Sequence, residues 1–205
     1  MGRRIGLLGG TFDPPHLGHL WLAETARSQL QLDAVLFLPV GRPPHKKNRP
    51  VTATAHRLVM TRLAIADAPH FLLDQTDIDR PPPHATYTLL PLIREAYPDT
   101  RLWLLIGEDS LRDFPTWQQP AAIITHCRLA VLPRPGNYTD LAAVETAVPG
   151  VSAAVDWLDG PTLPISSRHL REWARRGRSI RYLVPATVLK YITAQGLYRD
   201  KEHRR

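Results

Sequence analysis

The chain has 205 residues, 43% of them hydrophobic and 22% charged, and a formal net charge of +7. That length suits one domain (1–205) with a sizeable core, and the composition excludes the disordered class. No apolar run approaches the roughly 20 residues needed to span a bilayer, so no membrane partner and a cytoplasmic location are expected. The single cysteine, Cys127, excludes an internal disulfide and the Cys-rich zinc frameworks, and beside an apolar stretch it reads as a small buried filler.

Along the chain, Ile5 to Leu8 reads as a first buried strand, because it is short, apolar and bounded by glycines and charge. It runs into Gly9-Gly10-Thr11-Phe12-Asp13-Pro14-Pro15-His16-Leu17-Gly18-His19 and then a helical pattern on Leu20, Leu22, Ala23, Ala26 and Leu30. Paired glycines after a strand let a ligand approach the backbone, and the positive end of the following helix points at the same place, so the loop suits an anion. His16 and His19, three apart, put both rings on one side as hydrogen-bond donors to a polyphosphate. Gly18 leaves space for that ligand, and Thr11 offers a hydroxyl. Two histidines without a third ligand do not make a zinc site.

A second strand, Ala34 to Leu38, leads into the stiff turn Pro39 to Lys47, which would deliver a cation to the strand-end crevice, with Lys46 the candidate for a phosphate contact. A second helical pattern follows on Leu58, Val59, Leu63 and Ile65. Phe71 to Asp79 is expected to be a strand and Arg80 to Pro83 a loop. Thr86 and Thr88 stand where hydroxyls cap a helix, here Leu89 to Tyr97.

Leu102 to Ile106 and Leu129 to Leu132 are two more buried strands. The first ends in Gly107-Glu108-Asp109, the second in Pro133-Arg134-Pro135, where an arginine held between prolines suits a carboxylate or phosphate. Ile165-Ser166-Ser167-Arg168-His169-Leu170-Arg171 reads as a Ser-capped helix start whose free N–H groups bind phosphates. Cations gather between Arg168 and Arg181 and again in 199–205, read as a solvated helix face and a frayed basic tail. Strands apolar on both faces that alternate with helices make this an α/β protein, a single-domain open doubly wound parallel sheet with helices on both sides. Its ligands should bind at the carboxyl ends of the strands.

The eleven-residue G-G-T-F-D-P-P-H-L-G-H string resembles the signature of the nucleotidylyltransferase superfamily. The I-S-S-x-x-x-R string fits the same superfamily, and P-P-H-K, Thr86-Tyr87-Thr88, Trp117 and the C-terminal G-L-Y resemble its nicotinate-mononucleotide adenylyltransferase branch. The likeness spans roughly residues 4 to 198 by this pattern reading. It implies an enzyme of NAD biosynthesis that moves the adenylyl group of ATP to nicotinate mononucleotide.

By this likeness, Gly9, Gly10, Thr11, Phe12, His16, Gly18, His19, Ile106, Gly107, Ile165, Ser166, Ser167 and Arg171 bind ATP. Lys46, Thr86, Tyr87, Thr88, Asp109, Trp117 and Arg134 bind the acceptor, with Trp117 on the nicotinate ring and Asp109 at a ribose hydroxyl. Arg168 stands where the family commonly has threonine, so that hydroxyl contact is lost.

An attacking phosphate oxygen is already anionic at neutral pH, so the implied reaction needs no general base. His16, His19, Lys46 and Arg171 would neutralise the departing pyrophosphate, and Mg²⁺ would ride on the ATP phosphates without a protein metal site. Nucleic acid is not an expected partner. The alternatives are a pantetheine-phosphate type adenylyltransferase, an RNA-binding relative and a catalytically silent homologue.

Overall fold

The computed structural model describes residues 2–41, 51–133, 138–161 and 163–199. Six strands lie in one parallel sheet: β1 (Arg4–Gly10), β2 (Ala34–Pro39), β3 (Phe71–Leu73), β4 (Arg101–Gly107), β5 (Arg128–Leu132) and β6 (Val155–Trp157). Their order is β3-β2-β1-β4-β5-β6, with every neighbouring pair parallel. The chain works outward from β1 to β3, then returns to the other side of β1 and works outward again. β1 and β4 therefore flank the point where the order reverses, and a crevice opens there at the carboxyl ends of the strands.

Successive strand residues point to opposite faces, and both faces are covered. Val35, Phe37, Trp103, Leu105 and Ala130 pack on one side with Leu22, Ala23 and Ala26 of α1 (Leu17–Gln29), Met60 and Ala64 of α2 (Thr54–Ala64) and the C-terminal helices. Ile5, Leu7, Leu36, Leu104 and Val131 pack on the other with Leu89, Leu90 and Ile93 of the helix Thr86–Ala96 and with the helices around Ile123, Val144 and Val151. Cys127 is buried in this second cluster, as its composition suggested. No helix among the described residues is long and apolar enough to cross a membrane.

Three local departures from the sequence reading have physical causes. The strand read over Phe71 to Asp79 stops at Leu73, where the Asp74 carboxylate accepts from the Thr76 N–H at 2.9 Å and turns the chain into α3 (Thr76–Asp79). The helix read from Leu89 begins three residues earlier as α4 (Thr86–Ala96), with Ala85 at the cap position and no capping side chain. In α2 the buried face carries Arg57, Met60, Thr61 and Ala64, so the pattern on Leu58, Val59 and Leu63 is turned away from the deepest core by a buried arginine.

After β4 come α5 (Glu108–Asp113), one helical turn at Phe114–Thr116, and α6 (Pro120–His126). Beyond β5 lie α7 (Leu141–Ala147), α8 (Val151–Ala154) and β6. Finally α9 (Ser167–Arg175) and α10 (Ala186–Ala194) fold back over the α1 side of the sheet.

Candidate active site

The loop between β1 and α1 joins two groups of residues at the sheet's carboxyl edge. On one side it borders a cavity of about 270 Å³ whose walls include Gly9, Gly10, Thr11, Ile106, Thr86 and Trp117. A side-chain carbon at Gly9 would meet nothing within 4 Å, so the backbone there is open to a ligand. Trp117 leans on Phe114, with ring centroids 5.4 Å apart. Val40, Asp77, His84 and Gln118 also line the cavity, and none of them was picked out from the sequence.

On the other side stand the two histidines. Their rings stack at 3.7 Å, and the His16 backbone N–H donates to Nδ1 of His19 at 3.1 Å. With Nδ1 accepting, a neutral His19 carries its proton on Nε2 and offers it as a donor. Phe12 holds a positive φ of 49°, is fully buried, and meets the His19 ring edge-on at 5.0 Å. Its side chain is therefore a prop for His19, and only its backbone remains for a ligand.

The space at Gly18 serves the protein itself. A side-chain carbon there would lie 3.1 Å from Nδ1 of His16 and 3.8 Å from Cβ of Ile165, so the missing side chain makes room for the His16 ring. The start of α1 is also less open than the sequence suggested, because the Leu17 N–H donates to the Leu183 carbonyl at 3.0 Å.

α9 brings the serine motif to the same loop. Ser166 caps the helix by accepting from the His169 N–H at 3.3 Å, and the Ser167 hydroxyl donates to the Pro14 carbonyl at 2.8 Å. Arg171 donates to the Asp13 carbonyl at 2.6 Å and lies 3.8 Å from the Asp13 carboxylate. Both motifs are thus bound to the 9–16 loop, with the positive end of α9 beside the histidines.

Two buried charges that the sequence reading passed over hold this loop. Arg57 makes five hydrogen bonds, to the carbonyls of Thr52, Thr11, Val40 and Gly41 and to the Thr54 hydroxyl. Asp13 accepts from the Tyr198 hydroxyl at 2.6 Å and from the Thr52 N–H at 3.2 Å. Burial first, then the Asp13 carboxylate, pushes the Tyr198 phenol far up, so it stays a neutral donor.

Of the threonine motif, only Thr86 lines the cavity. Tyr87 packs against the apolar cluster, and the Thr88 hydroxyl donates back to the Ala85 carbonyl at 2.8 Å while accepting from Arg80 at 2.6 Å. Gly107 precedes α5 at its cap position, and Asp109 sits in its first turn with one carboxylate oxygen shielded from water. Glu108, buried beside it, accepts from the Thr139 N–H at 3.0 Å and so ties the chain beyond β5 to the end of β4. Lys46 and Arg134 lie outside the described residues. Among the described residues, no three of His, Cys, Asp and Glu gather closely enough to hold a metal ion.

Residues 7–173 match the family model described as cytidylyltransferase-like. A protein of Thermomicrobium roseum named "Probable nicotinate-nucleotide adenylyltransferase" is 46% identical over 97% of this chain and 93% of its own length. One of the same name from Roseiflexus sp. is 44% identical over 95% of this chain and 98% of its own. Among solved structures, Plasmodium falciparum nicotinic acid mononucleotide adenylyltransferase complexed with NaAD superposes with a TM-score of 0.79. It is 18% identical, and the match covers 96% of this chain and 97% of that one. At that identity the likeness speaks for the fold.

Proposed function

Because this chain belongs to the nicotinate-nucleotide adenylyltransferases, within the cytidylyltransferase-like family, we propose that it transfers the adenylyl group of ATP to nicotinate mononucleotide. The products are nicotinate adenine dinucleotide and pyrophosphate, a step in making NAD. The observation that carries this reading is the loop of residues 9–16, which borders the cavity with Thr86 and Trp117 on one side and the stacked histidines and α9 on the other.

In this reading the cavity takes the pyridine ring, with Trp117 as a face for it and Thr86 as a polar contact. The ATP phosphates lie along Gly9 to Thr11 and the N-terminus of α9. The acceptor's phosphate oxygen attacks the α-phosphorus, the bond to the β-phosphate oxygen breaks, and pyrophosphate leaves. The attacking oxygen is already charged, so the protein's part is alignment and charge neutralisation. His19 donates from Nε2 to a phosphate oxygen, and Arg171, fixed by Asp13, adds positive charge. His16 supports His19 by stacking. Lys46 and Arg134 are assigned to the acceptor's anionic groups.

Mg²⁺ suits this donor set as a companion of ATP, because it keeps several waters and binds through substrate phosphates, where it neutralises charge. ATP labelled in its α-phosphate tests the reading. The label should appear in the dinucleotide when nicotinate mononucleotide is present. Label found only in free AMP would mean hydrolysis and would overturn it.

A further inference from the structure

Outside the residues already given roles, two buried ionisable residues line the cavity, His84 and Asp77, and Arg80 is bonded to Asp77. The His84 side chain is 7% exposed and lines the same cavity as Thr86 and Trp117. Its Nδ1 is shielded from solvent, has no hydrogen bond, and lies 3.6 Å from Oδ2 of Asp77. Among the described residues, neither ring nitrogen is hydrogen-bonded to protein.

That position is built. Asp77 accepts from Arg80 Nε at 2.7 Å and Nη2 at 2.5 Å through one oxygen, and from the Gly41 N–H at 3.1 Å through the other. Arg80 in turn donates to the carbonyls of Pro83 and Ala85 on either side of His84, at 2.9 and 3.0 Å. A side-chain carbon at Gly41 would overlap the His84 ring, so glycine two residues past β2 lets the ring sit where it does. Because Nδ1 faces Asp77, the nitrogen without a partner among the described residues is Nε2, and on a ring held this firmly in the cavity wall it suits a partner from outside the chain.

We propose that His84 is a binding residue for the acceptor nucleotide, donating from its imidazole to an anionic group of that substrate, with Asp77 and Arg80 as its positioning residues. In the imidazolium form both ring nitrogens carry protons; the Asp77 carboxylate, 3.6 Å from Nδ1, faces one of them and leaves the Nε2 proton for the ligand's anionic group. Two groups of the acceptor share the required chemistry, its pyridine carboxylate and its phosphate. This rests on the adenylyl transfer proposed above.

The test compares wild type, His84→Phe, which keeps a ring without a donor, and His84→Gln, which keeps a shorter donor. Rates are measured with ATP and either nicotinate or nicotinamide mononucleotide. Loss of a hydrogen bond to a charged group predicts an acceptor KM raised about 10- to 100-fold in His84→Phe, with partial recovery in His84→Gln and KM for ATP within about two-fold. A rise confined to the acid assigns the contact to the carboxylate, and an equal rise with both assigns it to the phosphate. An acceptor KM within about two-fold of wild type in the folded variants, or a parallel rise in KM for ATP, would overturn the assignment. If His84→Phe does not fold, His84→Gln decides by the same criteria. An inactive wild type would instead overturn the adenylyl transfer itself, which separates the two failures.

Discussion

The backbone N–H of His16 donates to the side chain of His19 at 3.1 Å, so the loop that begins α1 fixes which nitrogen of His19 faces outward. The His19 ring is only partly buried, so truncating it removes its contacts with His16 and Phe12 but opens no cavity in the core. His19→Ala is predicted to lower kcat by about 100-fold or more, the usual scale for a lost transition-state donor, with little change in ATP affinity. Steady-state kinetics together with equilibrium ATP binding check this, and unchanged turnover would remove His19 from the mechanism.

Gly18→Ala probes the same pair from the packing side. The added carbon would press on the His16 ring at 3.1 Å and shift the stacked pair. Turnover should fall about 10-fold or more, since small misplacements at a reacting centre are costly. The melting temperature should move little by comparison, and a crystal structure of the variant should show the His16 ring displaced.

Arg57 makes a stability prediction. Its guanidinium is buried and bonded to carbonyls of both the 9–16 loop and the end of β2. Arg57→Met leaves those acceptors buried without a donor, and the expected loss is about 3–5 kcal/mol, the scale of several buried acceptors each unsatisfied at about 1–3 kcal/mol. Urea unfolding measures it directly. A loss below about 1 kcal/mol would mean that water replaces the guanidinium without penalty.

Alkaline pH should weaken the fold through the buried Cys127 thiol and the partly buried Tyr97 phenol, in the same direction as the raised Tyr198 phenol. Burial pushes the Cys127 thiol from its ordinary 9.0 up to about 12, and burial together with Asp74 pushes the Tyr97 phenol from 10.0 up to about 12. In both cases the folded state keeps a proton that the unfolded chain releases. The stability from these groups is therefore complete below about pH 9 and declines as pH rises toward 12. Melting temperature should fall across this window less steeply in Cys127→Ala than in wild type. Native Cys127 should resist thiol reagents at pH 8, and rapid labelling there would contradict its burial.

The strands were legible because Ala34 to Leu38 and Leu102 to Ile106 are apolar at every position, which only a doubly covered sheet allows. β6 escaped notice because it has three residues and carries Asp156, paired with Arg128 at 2.6 Å. The 9–16 loop and the serine helix were readable as compact strings. The contacts that hold them were not: Arg57, passed over in the sequence, reaches Thr11 from 46 positions away, and Arg171, picked out for phosphate, also reaches Asp13 from 158. Their roles depend on contacts that no local pattern encodes. Asp77, inside a stretch read as strand, and His84, just after the proline loop, were hidden for the same reason.

The most direct test offers the purified protein ATP and Mg²⁺ with nicotinate mononucleotide, nicotinamide mononucleotide or phosphopantetheine, and follows pyrophosphate release together with the dinucleotide or dephospho-coenzyme product. Release with nicotinate mononucleotide, well above the other two, is the predicted result. Release with phosphopantetheine alone would contradict the substrate assignment, and silence with all three would contradict adenylyl transfer to these acceptors altogether.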